Sequence, residues 1–505
     1  MIDDTYESLS QSVVATNVFC NNIVELISTG NYWAQGRTYD VLMHTWYVGL
    51  LMQFYLVFPV LFLLARLDKN TSHQTLTVLM AVLATISFFI YLGDNNDARK
   101  FYLLPARFFE FSVGGIVALR YNSLQHSPFG KWFVHGCYAF LILLLAVNTE
   151  LVTPAIKLLA VIAVTCVLLC SQDILENKIT GNSFLAKIGV ASYSIFVWHQ
   201  IALAFYRQLY GSQFSVISFL LLMIVVAIVS WMSYLVLEKK VGRVLKTKKG
   251  KLVVLKSTLA VFVVVNGFSL YVYMNAGVMR DIPELGVEKK HPHRGMWAEY
   301  NDRIFNNQKP FETDKLHWLV IGNSYGRDFA NIIYEAGLSD QVEVSYCNHG
   351  NYQQVENEER FRDADKIFIA SKGYTEEFVH SIEILAMAFG HTLEDVVVVG
   401  EKYFGETMTQ VYARRFRCDY KDTGIKLKQE IIDKNTLARS LYGNRFIDLL
   451  SMSERQDGLV RAFTDDGMFI SSDCSHLTRT GAQYFAKRID WDTYLNFTSS
   501  RTSQH

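Results

Sequence analysis

The sequence predicts a multi-span α-helical membrane domain followed by a soluble α/β domain with a flavodoxin-like parallel sheet. Apolar runs of the ~20 residues that a bilayer core requires recur through the first part of the chain. A strongly basic stretch, 238–251, lies between the last two of these runs. Beyond residue 316, short β-rich runs alternate with helix-length segments, which is typical of a parallel sheet covered by helices.

The membrane domain is predicted from the length of its apolar runs. A more polar segment at about 10–28 is consistent with a short or re-entrant helix. Residues 1–10 are acidic and polar, unlike the basic start of a signal peptide. The runs that can span or nearly span a bilayer lie at about 43–65, 74–93, 101–120, 133–148, 152–170, 184–208, 214–237 and 252–275.

The basic stretch 238–251 orients these predicted spans. Loops rich in Lys and Arg stay on the cytoplasmic side of a membrane. The last span is therefore expected to leave the cytoplasm and to deliver the residues after about 275 to the outside of a bacterial-type plasma membrane. The alternative is a merely solvated charged loop, which the two flanking apolar runs disfavour.

Charge and cysteine content exclude some classes of protein. The 505 residues carry 48 basic and 48 acidic side chains, and no basic face outside 238–251 would bind nucleic acid. The seven cysteines show no CxxC or His-rich spacing, so no metal site is predicted. A disulfide between Cys347 and Cys418 is compatible with an exported domain, but spacing alone does not establish it.

Ionisable side chains inside predicted spans are the candidate functional groups of the membrane domain, because their burial in lipid is costly. Arg107 and Glu110 are three residues apart on one helical face. They either pair with each other or line a cavity. His44 and His199 lie toward the outer ends of their spans, where a structural hydrogen-bonding role is the common alternative to catalysis.

Four motifs around these residues resemble the acyltransferase-3 family of membrane proteins. HTWYVGLLMQFYLVFPVLF at 44–62 is similar to the family's HTWSLSVEEQFYLLWP. The segments 105–115, 187–200 and 233–243 resemble its PTRFWELLAG, KISYSLYLWHWP and SYRFIEKPFRR in the same order. The resemblance implies transfer of an acyl group, commonly acetyl from cytoplasmic acetyl-CoA, to an extracytoplasmic polysaccharide such as a lipopolysaccharide O-antigen, without a bound cofactor.

The sequence departs from the family pattern at several points. Leu51 and Met52 replace its paired glutamates, and Lys240 replaces a proline. The family's opening helices, with an arginine-and-histidine segment, are not found near the N-terminus. Three explanations remain open: the chain is a truncated product of a longer gene, a partner supplies the helices, or the membrane part is no longer catalytic.

The exported part contains a candidate nucleophile and its base. The β-rich run 317–322 leads directly into Ser324 and a helix-like stretch, which places that serine at a strand-to-helix turn. An ordinary helix-capping serine is the alternative. Near the far end of the same domain, Asp473 and His476 are three apart, so the carboxylate can orient the imidazole toward a distant serine.

This arrangement resembles the SGNH hydrolase family, whose domains are often fused to acyltransferase-3 domains. The resemblance implies that Ser324 is the nucleophile, His476 the base and Asp473 its orienter. It also implies an oxyanion hole formed by the amides of Ser324 and Gly350.

Two departures concern this second resemblance. Asn323 replaces the usual aspartate of the first block. The family's third block, GxND, is not recognisable, and Ser371 or Lys372 lies in its neighbourhood. One oxyanion donor is therefore left unassigned.

Together these features predict a membrane domain at 1–275, a linker at 276–316, an SGNH-like domain at 317–495 and a tail at 496–505. The leading hypothesis is a membrane O-acyltransferase of the cell envelope, whose partners are the bilayer, an acyl-CoA donor and a polysaccharide acceptor. A membrane-tethered glycan esterase is the second hypothesis. A catalytically degenerate scaffold is the third.

Overall fold

The computed structural model describes residues 3–29, 39–65, 72–124, 131–146, 153–171, 183–289, 300 and 303–495. The chain divides into two compact units. Residues 9–207 and 213–270 form the first, which we call the helical unit. The second, which we call the α/β unit, comprises residues 271–505 with the short segments 1–8 and 208–212.

Helices account for almost all of the described chain up to residue 274. In order they are α1 Asp3–Asn17, α2 Asn21–Thr29, α3 Trp46–Ala65, α4 Ser72–Gly93, α5 Asp97–Tyr102, α6 Leu104–Leu124, α7 Lys131–Ala146, α8 Pro154–Cys170, α9 Ser183–Val190, α10 Ser192–Tyr210, α11 Val216–Val244 and α12 Lys248–Met274.

Among the described residues, five helical segments are long and apolar enough to cross a membrane. The helices α9 and α10 would make a sixth span, bent by 65°. The predicted runs at 133–148 and 152–170 form shorter apolar helices, Trp132–Leu144 and Pro154–Cys170. The five confirm a multi-pass membrane protein and are Met43–Ala65, His73–Gly93, Asp97–Tyr121, Val216–Val244 and Lys248–Met274.

The outer surface of the helical unit is apolar. Leu56, Ile142, Val216 and Val264 expose 70%, 67%, 76% and 69% of their surface, and many similar side chains do the same. Soluble proteins rarely expose contiguous apolar patches this extensive, whereas lipid-facing helices must. The exposure therefore supports the membrane assignment independently of helix length.

The segment predicted as one short helix at about 10–28 consists of two helices, α1 and α2. The chain breaks at Phe19, whose φ is 59°. The fully buried Asn21 donates a hydrogen bond to Thr45 Oγ1 (2.9 Å), and the fully buried Asn22 donates to the carbonyl of Tyr102 (2.9 Å). These amides tie α2 to the start of α3 and the end of α5, which accounts for polar residues in an apolar setting.

The α/β unit is built on a five-stranded sheet in the order β2-β1-β3-β4-β6, with every neighbouring pair parallel. This confirms the predicted parallel sheet, and the order is that of flavodoxin-like doubly wound folds. β5 and β7 form a separate antiparallel pair. The strands are β1 Leu316–Gly322, β2 Val342–Asn348, β3 Lys366–Ile369, β4 Val396–Val399, β5 Gly424–Lys426, β6 Phe446–Ile447 and β7 Leu459–Arg461.

Helices alternate with these strands and enclose two hydrophobic cores. One core includes Trp318 and Phe329, and the other includes Leu319 and Phe361. Trp318 and Leu319 are neighbours on β1, so the two cores lie on opposite faces of the sheet. The helices are α13 Ser324–Glu335, α14 Glu358–Asp363, α15 Glu376–Ala388, α16 Met408–Tyr412, α17 Gln429–Tyr442, α18 Leu449–Ser453, α19 Arg479–Ala486 and α20 Asp492–Leu495.

Part of the predicted linker 276–316 packs in the core of the α/β unit. Val278, Ile282 and Leu285 are buried in the same core as Trp318. The prolines, glycines and mixed charges of the segment 276–316 indicated a connector. The apolar residues between them nevertheless pack against the sheet. Residues 290–299 and 301–302 of this linker, and the predicted tail 496–505, lie outside the described residues.

All seven cysteines are free thiols. Cys347 is buried and Cys418 is exposed, so the disulfide that spacing left open between them is not formed.

Gly322 ends β1 where the backbone must pass close to β3. A Cβ at this position would lie 1.9 Å from the carbonyl oxygen of Ala370. We expect Gly322→Ala to destabilise the α/β unit by about 2 kcal/mol or more, because the clash is with backbone. Gly350→Ala is the control, since its nearest contact would be 3.7 Å from Asn348 Oδ1. Thermal unfolding of both full-length variants in detergent tests this, and equal midpoints would contradict it.

Candidate functional site

The candidate site lies at the carboxyl edge of the parallel sheet. β1 lies between β2 and β3, so the chain changes direction along the sheet at β1. Open α/β folds bind ligands beyond the carboxyl ends of strands at such a switch point. Ser324 lies two residues after the end of β1, and Lys372 lies three residues after the end of β3. The topology therefore places residues from two separate motifs at one edge.

Ser324 is the first residue of α13, and the residue before it provides the helix cap. Asn323 Oδ1 accepts a hydrogen bond from the amide of Tyr325 (3.1 Å). Capping therefore does not account for Ser324. Its side chain is half-buried, and its Oγ forms no hydrogen bond with the described residues. Asn323 engages the amides of Tyr325, Gly326 and Arg327, which leaves the amide of Ser324 itself as the first-turn donor that can stabilise negative charge beside this hydroxyl.

Asp473 and His476 form a closed local unit. Asp473 Oδ2 lies 2.6 Å from His476 Nδ1. Its other oxygen, Oδ1, accepts hydrogen bonds from the amides of Ser475 (2.8 Å) and His476 (2.7 Å). Cys474, between them, has a φ of 73°, which the tight turn requires. A carboxylate at Nδ1 places the proton on that nitrogen and leaves Nε2 free to accept one.

The electrostatics of this unit keep the carboxylate ionised. Burial raises the pKa of Asp473, but the hydrogen bonds and charge of His476 and the amide of Ser475 outweigh it and lower the pKa to about 2. Asp473 is therefore a permanent negative charge at neutral pH. A permanent negative charge stabilises the imidazolium that forms when a histidine takes a proton.

A buried ion pair attaches the His476 loop to the Ser324 helix. Asp328 Oδ2, on α13, accepts a hydrogen bond from the amide of Leu477 (2.9 Å). The same oxygen lies 2.9 Å from Lys402 Nζ, and both side chains are almost fully buried. Burial lowers the pKa of Lys402, while the Asp328 carboxylate opposes that shift. The two sequence-predicted motifs are thus joined next to their reactive residues.

Lys372 connects the same two segments at the surface. Its amide donates to Asn323 Oδ1 (3.1 Å), and its carbonyl accepts from Asn323 Nδ2 (3.1 Å). Its Nζ lies 3.3 Å from Ser475 Oγ. The structure therefore brings Ser324 and His476 to one end of the unit, although their side chains are not hydrogen-bonded to each other.

The predicted oxyanion donor Gly350 lies on the turn after β2. Its amide donates to Asn348 Oδ1 (3.0 Å), so this N–H is engaged within its own turn. The neighbouring His349 Nδ1 lies 2.8 Å from Ser371 Oγ, and its ring stacks on Phe378 with centroids 3.9 Å apart. The role of Gly350 stays a prediction, and it requires the Asn348 side chain to yield the amide.

In the helical unit, His44 and His199 come together. Their ring centroids are 5.5 Å apart, and both rings contact Phe196. His199 Nδ1 lies 2.6 Å from the carbonyl of Phe196. His44 is buried, and within the described ranges neither of its nitrogens forms a hydrogen bond of normal geometry, although its ring interacts with the backbone of Val197. A buried imidazole in this condition is a candidate for a transient ligand or proton.

Arg107 and Glu110 pair with each other, at 3.1 Å between Arg107 Nη1 and Glu110 Oε1. The Arg107 guanidinium also lies over the rings of Trp46 (5.4 Å) and Phe101 (4.7 Å). Because Trp46 follows His44 by two residues, all four predicted membrane-domain residues gather around the start of α3. Pairing was the first of the two roles predicted for Arg107 and Glu110. Whether the pair also lines a cavity stays a prediction.

Sequence reasoning missed the residues that hold the site together. Asp328 lies four residues after Ser324, and Lys402 follows the strand β4 by three residues. Each had one feature in the sequence that could have drawn attention to it. Asp328 is a charged residue close to the candidate nucleophile, and Lys402 is a charged residue close to the carboxyl end of a buried strand. In the helical unit, Ser194 donates to Glu238 Oε1 (2.5 Å) and so links the third and fourth motifs, a pairing that no spacing reveals.

Comparison with known proteins finds matches within the first part of the chain. Residues 9–235 match the family model described as an acyltransferase domain. The chain is also similar to a Komagataeibacter xylinus protein named "Putative membrane-bound transacylase BcsY". The two are 24% identical over 249 residues, which cover 44% of this chain and 59% of that relative. No solved structure matches the chain. The matches support an acyltransferase, and the chain spans about 59% of this relative's length.

The buried ion pair between Asp328 and Lys402 leads to a prediction about the stability of the α/β unit. We expect Lys402→Met to destabilise the α/β unit by about 3 kcal/mol, because it removes the nearer charge partner of the buried Asp328 carboxylate (2.9 Å) and leaves the more distant Arg327 at 3.8 Å. The double variant Asp328→Asn with Lys402→Met should lose less than the sum of the single variants. Urea unfolding of the full-length protein measures the cycle.

An exposed ion pair provides the matched control for this cycle. Lys309 Nζ lies 2.7 Å from Glu312, with side chains 48% and 62% exposed. Lys309→Met should change the free energy of unfolding by less than about 1 kcal/mol. Strictly additive effects of the Asp328 and Lys402 substitutions would contradict the coupling.

The depressed pKa of Asp473 predicts a pH-dependent contribution to stability. A carboxyl group whose pKa falls from 3.8 to about 2 on folding stabilises the native state above its unfolded pKa and loses this effect as pH falls toward 2. Asp473→Asn keeps one oxygen for the backbone amides but removes the charge. Its stability deficit relative to the native protein should therefore be constant near neutral pH and should shrink between about pH 4 and pH 2.

Thermal unfolding across this pH range measures the deficit, with the exposed Asp466→Asn as control. A deficit that stays unchanged down to about pH 2 would show that the Asp473 carboxylate is not stabilised by folding.

Proposed function

We propose that this protein is a membrane O-acyltransferase. It transfers an acyl group, in the simplest case acetyl, from cytoplasmic acyl-CoA to hydroxyls of an extracytoplasmic polysaccharide such as a lipopolysaccharide O-antigen. One observation carries the proposal: an acyltransferase domain at 9–235 is joined, in one chain, to an α/β unit that has Ser324 and an Asp473–His476 pair at one edge of its sheet. In this proposal the acyltransferase domain moves the acyl group across the membrane. The α/β unit then transfers it through a nucleophilic serine.

In the helical unit, the groups around the start of α3 are suited to handle the acyl donor. His44 is buried, and its nitrogens form no hydrogen bond of normal geometry among the described residues, so it can accept a proton from, or hydrogen-bond to, a ligand. Arg107 is a fixed cation beside aromatic rings and can bind a phosphate or carboxylate of the donor. Glu110 orients this cation through the pair between them.

In the α/β unit, the proposed role of Ser324 is to receive the acyl group and pass it on. Its Oγ attacks the acyl carbon, and His476 Nε2 takes the hydroxyl proton and returns it to the leaving group. A sugar hydroxyl then attacks the acyl-serine and gives its proton to Nε2. Nε2 passes this proton to Ser324 Oγ as the acyl–Oγ bond breaks, so the sugar ester leaves and the serine hydroxyl is restored. Asp473 holds the ring and balances the imidazolium charge. The SGNH resemblance of the Ser324 and Asp473–His476 segments supports these roles.

The same proposal assigns a location. The basic residues 238–251 precede α12, and the α/β unit follows it. Under the positive-inside rule this places the basic stretch in the cytoplasm and the α/β unit outside a bacterial-type plasma membrane. The polysaccharide acceptor and the Ser324 site then share one compartment.

A membrane-tethered glycan esterase is the second candidate. One observation favours it: Leu51 and Met52, on α3, stand where the acyltransferase-3 motif has paired glutamates. If the helical unit cannot load an acyl group, the same triad hydrolyses glycan esters with water as the acceptor. The two functions differ in direction, since one adds acyl groups to the glycan and the other removes them.

We expect Ser324→Ala to abolish glycan O-acylation, because it removes the hydroxyl that is proposed to carry the acyl group; the loss in rate should be on the order of 10³-fold or more. NMR of surface polysaccharide from cells expressing the 505-residue chain measures the O-acetyl content. Ser440→Ala, an exposed serine on α17, is the control.

The direction of the change separates the candidates. A glycan that gains O-acetyl groups with the native chain, but not with Ser324→Ala, supports the transferase. A glycan that loses them with the native chain supports the esterase. Native O-acetyl content in cells carrying a Ser324→Ala, His476→Ala double variant would support the scaffold hypothesis and remove the serine from the mechanism.

A further inference from the structure

The candidate site has fewer oxyanion donors than its proposed chemistry requires. Acyl transfer at Ser324 develops a negative charge on the acyl oxygen, which amides or cations beside the serine must stabilise. The amide of Gly350 is engaged by Asn348 Oδ1 (3.0 Å). The asparagine of a third block is not recognisable in the sequence, and Lys372 lies in that neighbourhood.

The backbone of Lys372 is fixed beside the nucleophile. Its N–H donates to Asn323 Oδ1, and its carbonyl accepts from Asn323 Nδ2, both at 3.1 Å. The same Oδ1 caps the helix that Ser324 begins. This two-bond clamp uses only the main chain of Lys372. Its side chain is therefore not needed to hold the turn and is available for chemistry.

The ammonium of Lys372 lies between the two halves of the site. Nζ is 3.3 Å from Ser475 Oγ, the residue before His476. It is also 5.8 Å from the ring centroid of Tyr325, the residue after Ser324. The cation therefore lies beside the chain neighbours of both the attacking serine and the base.

The charge of Lys372 is not neutralised by a neighbouring carboxylate. Within the described part of the chain it forms no salt bridge, whereas the nearby Lys402 and Lys434 are paired with Asp328 and Glu401. Lys372 is also exposed at the carboxyl edge of the sheet, where substrate would enter. An unpaired ammonium in this place can respond to a charge that appears only during the reaction.

We propose that Lys372 is a catalytic residue whose ammonium stabilises the oxyanion formed at Ser324. This inference rests on the proposed acyl transfer. When Ser324 Oγ bonds to the acyl carbon, its proton moves to His476 Nε2 and the carbonyl electron pair moves to the acyl oxygen. Lys372 Nζ and the Ser324 amide donate hydrogen bonds to that oxygen. The electron pair returns as the leaving group departs with the proton from Nε2, and the ammonium is left unchanged.

The test compares Lys372→Met with Lys372→Arg in the full-length protein in detergent, with 4-nitrophenyl acetate as the acyl donor. Methionine keeps the length of the side chain and the main-chain clamp but removes the charge, while arginine keeps the charge. We expect Lys372→Met to lower kcat on the order of 10²-fold with little change in KM, because the interaction is made only in the transition state. Lys372→Arg should recover at least a tenth of the native kcat.

Two controls accompany these variants. Lys426→Met removes an exposed lysine of β5 and should leave kcat unchanged. Ser324→Ala reports on the proposed function itself. Circular dichroism of each variant identifies a folding defect, and a misfolded Lys372→Met is replaced by Lys372→Gln in the same comparison.

Four outcomes would overturn the inference. Native kcat in Lys372→Met, with Ser324→Ala inactive, would remove Lys372 from catalysis and leave the proposed function standing. An equal loss of kcat in Lys372→Arg and Lys372→Met would show that the side chain has a structural role. A change in KM alone would show that it binds the substrate and does not stabilise the oxyanion. Full activity in Ser324→Ala would overturn both the serine mechanism and the role of Lys372.

Discussion

The α/β unit depends on one carboxylate that two distant segments share. Asp328 Oδ2 accepts the amide of Leu477 and pairs with Lys402, each at 2.9 Å, almost without solvent. A buried charge is tolerated only when partners compensate it. The segments that contain Asp328, Lys402 and Leu477 are therefore expected to assemble cooperatively. Ser324, His476 and the end of β4 owe their common location to this interaction.

In the helical unit, too, a few buried polar contacts determine which helices pack together. The lipid-facing surfaces are uniformly apolar, so they do not favour one arrangement of the helices over another. Asn21 and Asn22 fasten α2 to the start of α3 and the end of α5. Ser194 and Glu238 fasten α10 to α11. Packing between apolar helices in lipid has little hydrophobic driving force, so such hydrogen bonds select the arrangement.

Local patterns predict structure where the physics is local. Of the eight apolar runs in the sequence, five form helices long enough to span a membrane, and the alternation of short strands with helices predicts the parallel sheet that is observed. The roles of Ser324 and of the Asp473–His476 pair stay predictions from short motifs. The prolines and charges of 276–316 are typical of connectors, yet Val278 and Ile282 pack in the core of the α/β unit.

The sequence by itself determined what each segment is: an apolar span, a buried strand, a serine at a strand end, a histidine three residues from its aspartate. Those properties depend on composition and on contacts over a few residues. Only the tertiary structure decided which segments meet, because Asp328 and Leu477 are 149 residues apart and Asn22 and Tyr102 are 80 apart. Contacts at such distances are set by the packing of whole elements, and this packing also brings Lys372 to the edge where Ser324 and His476 lie.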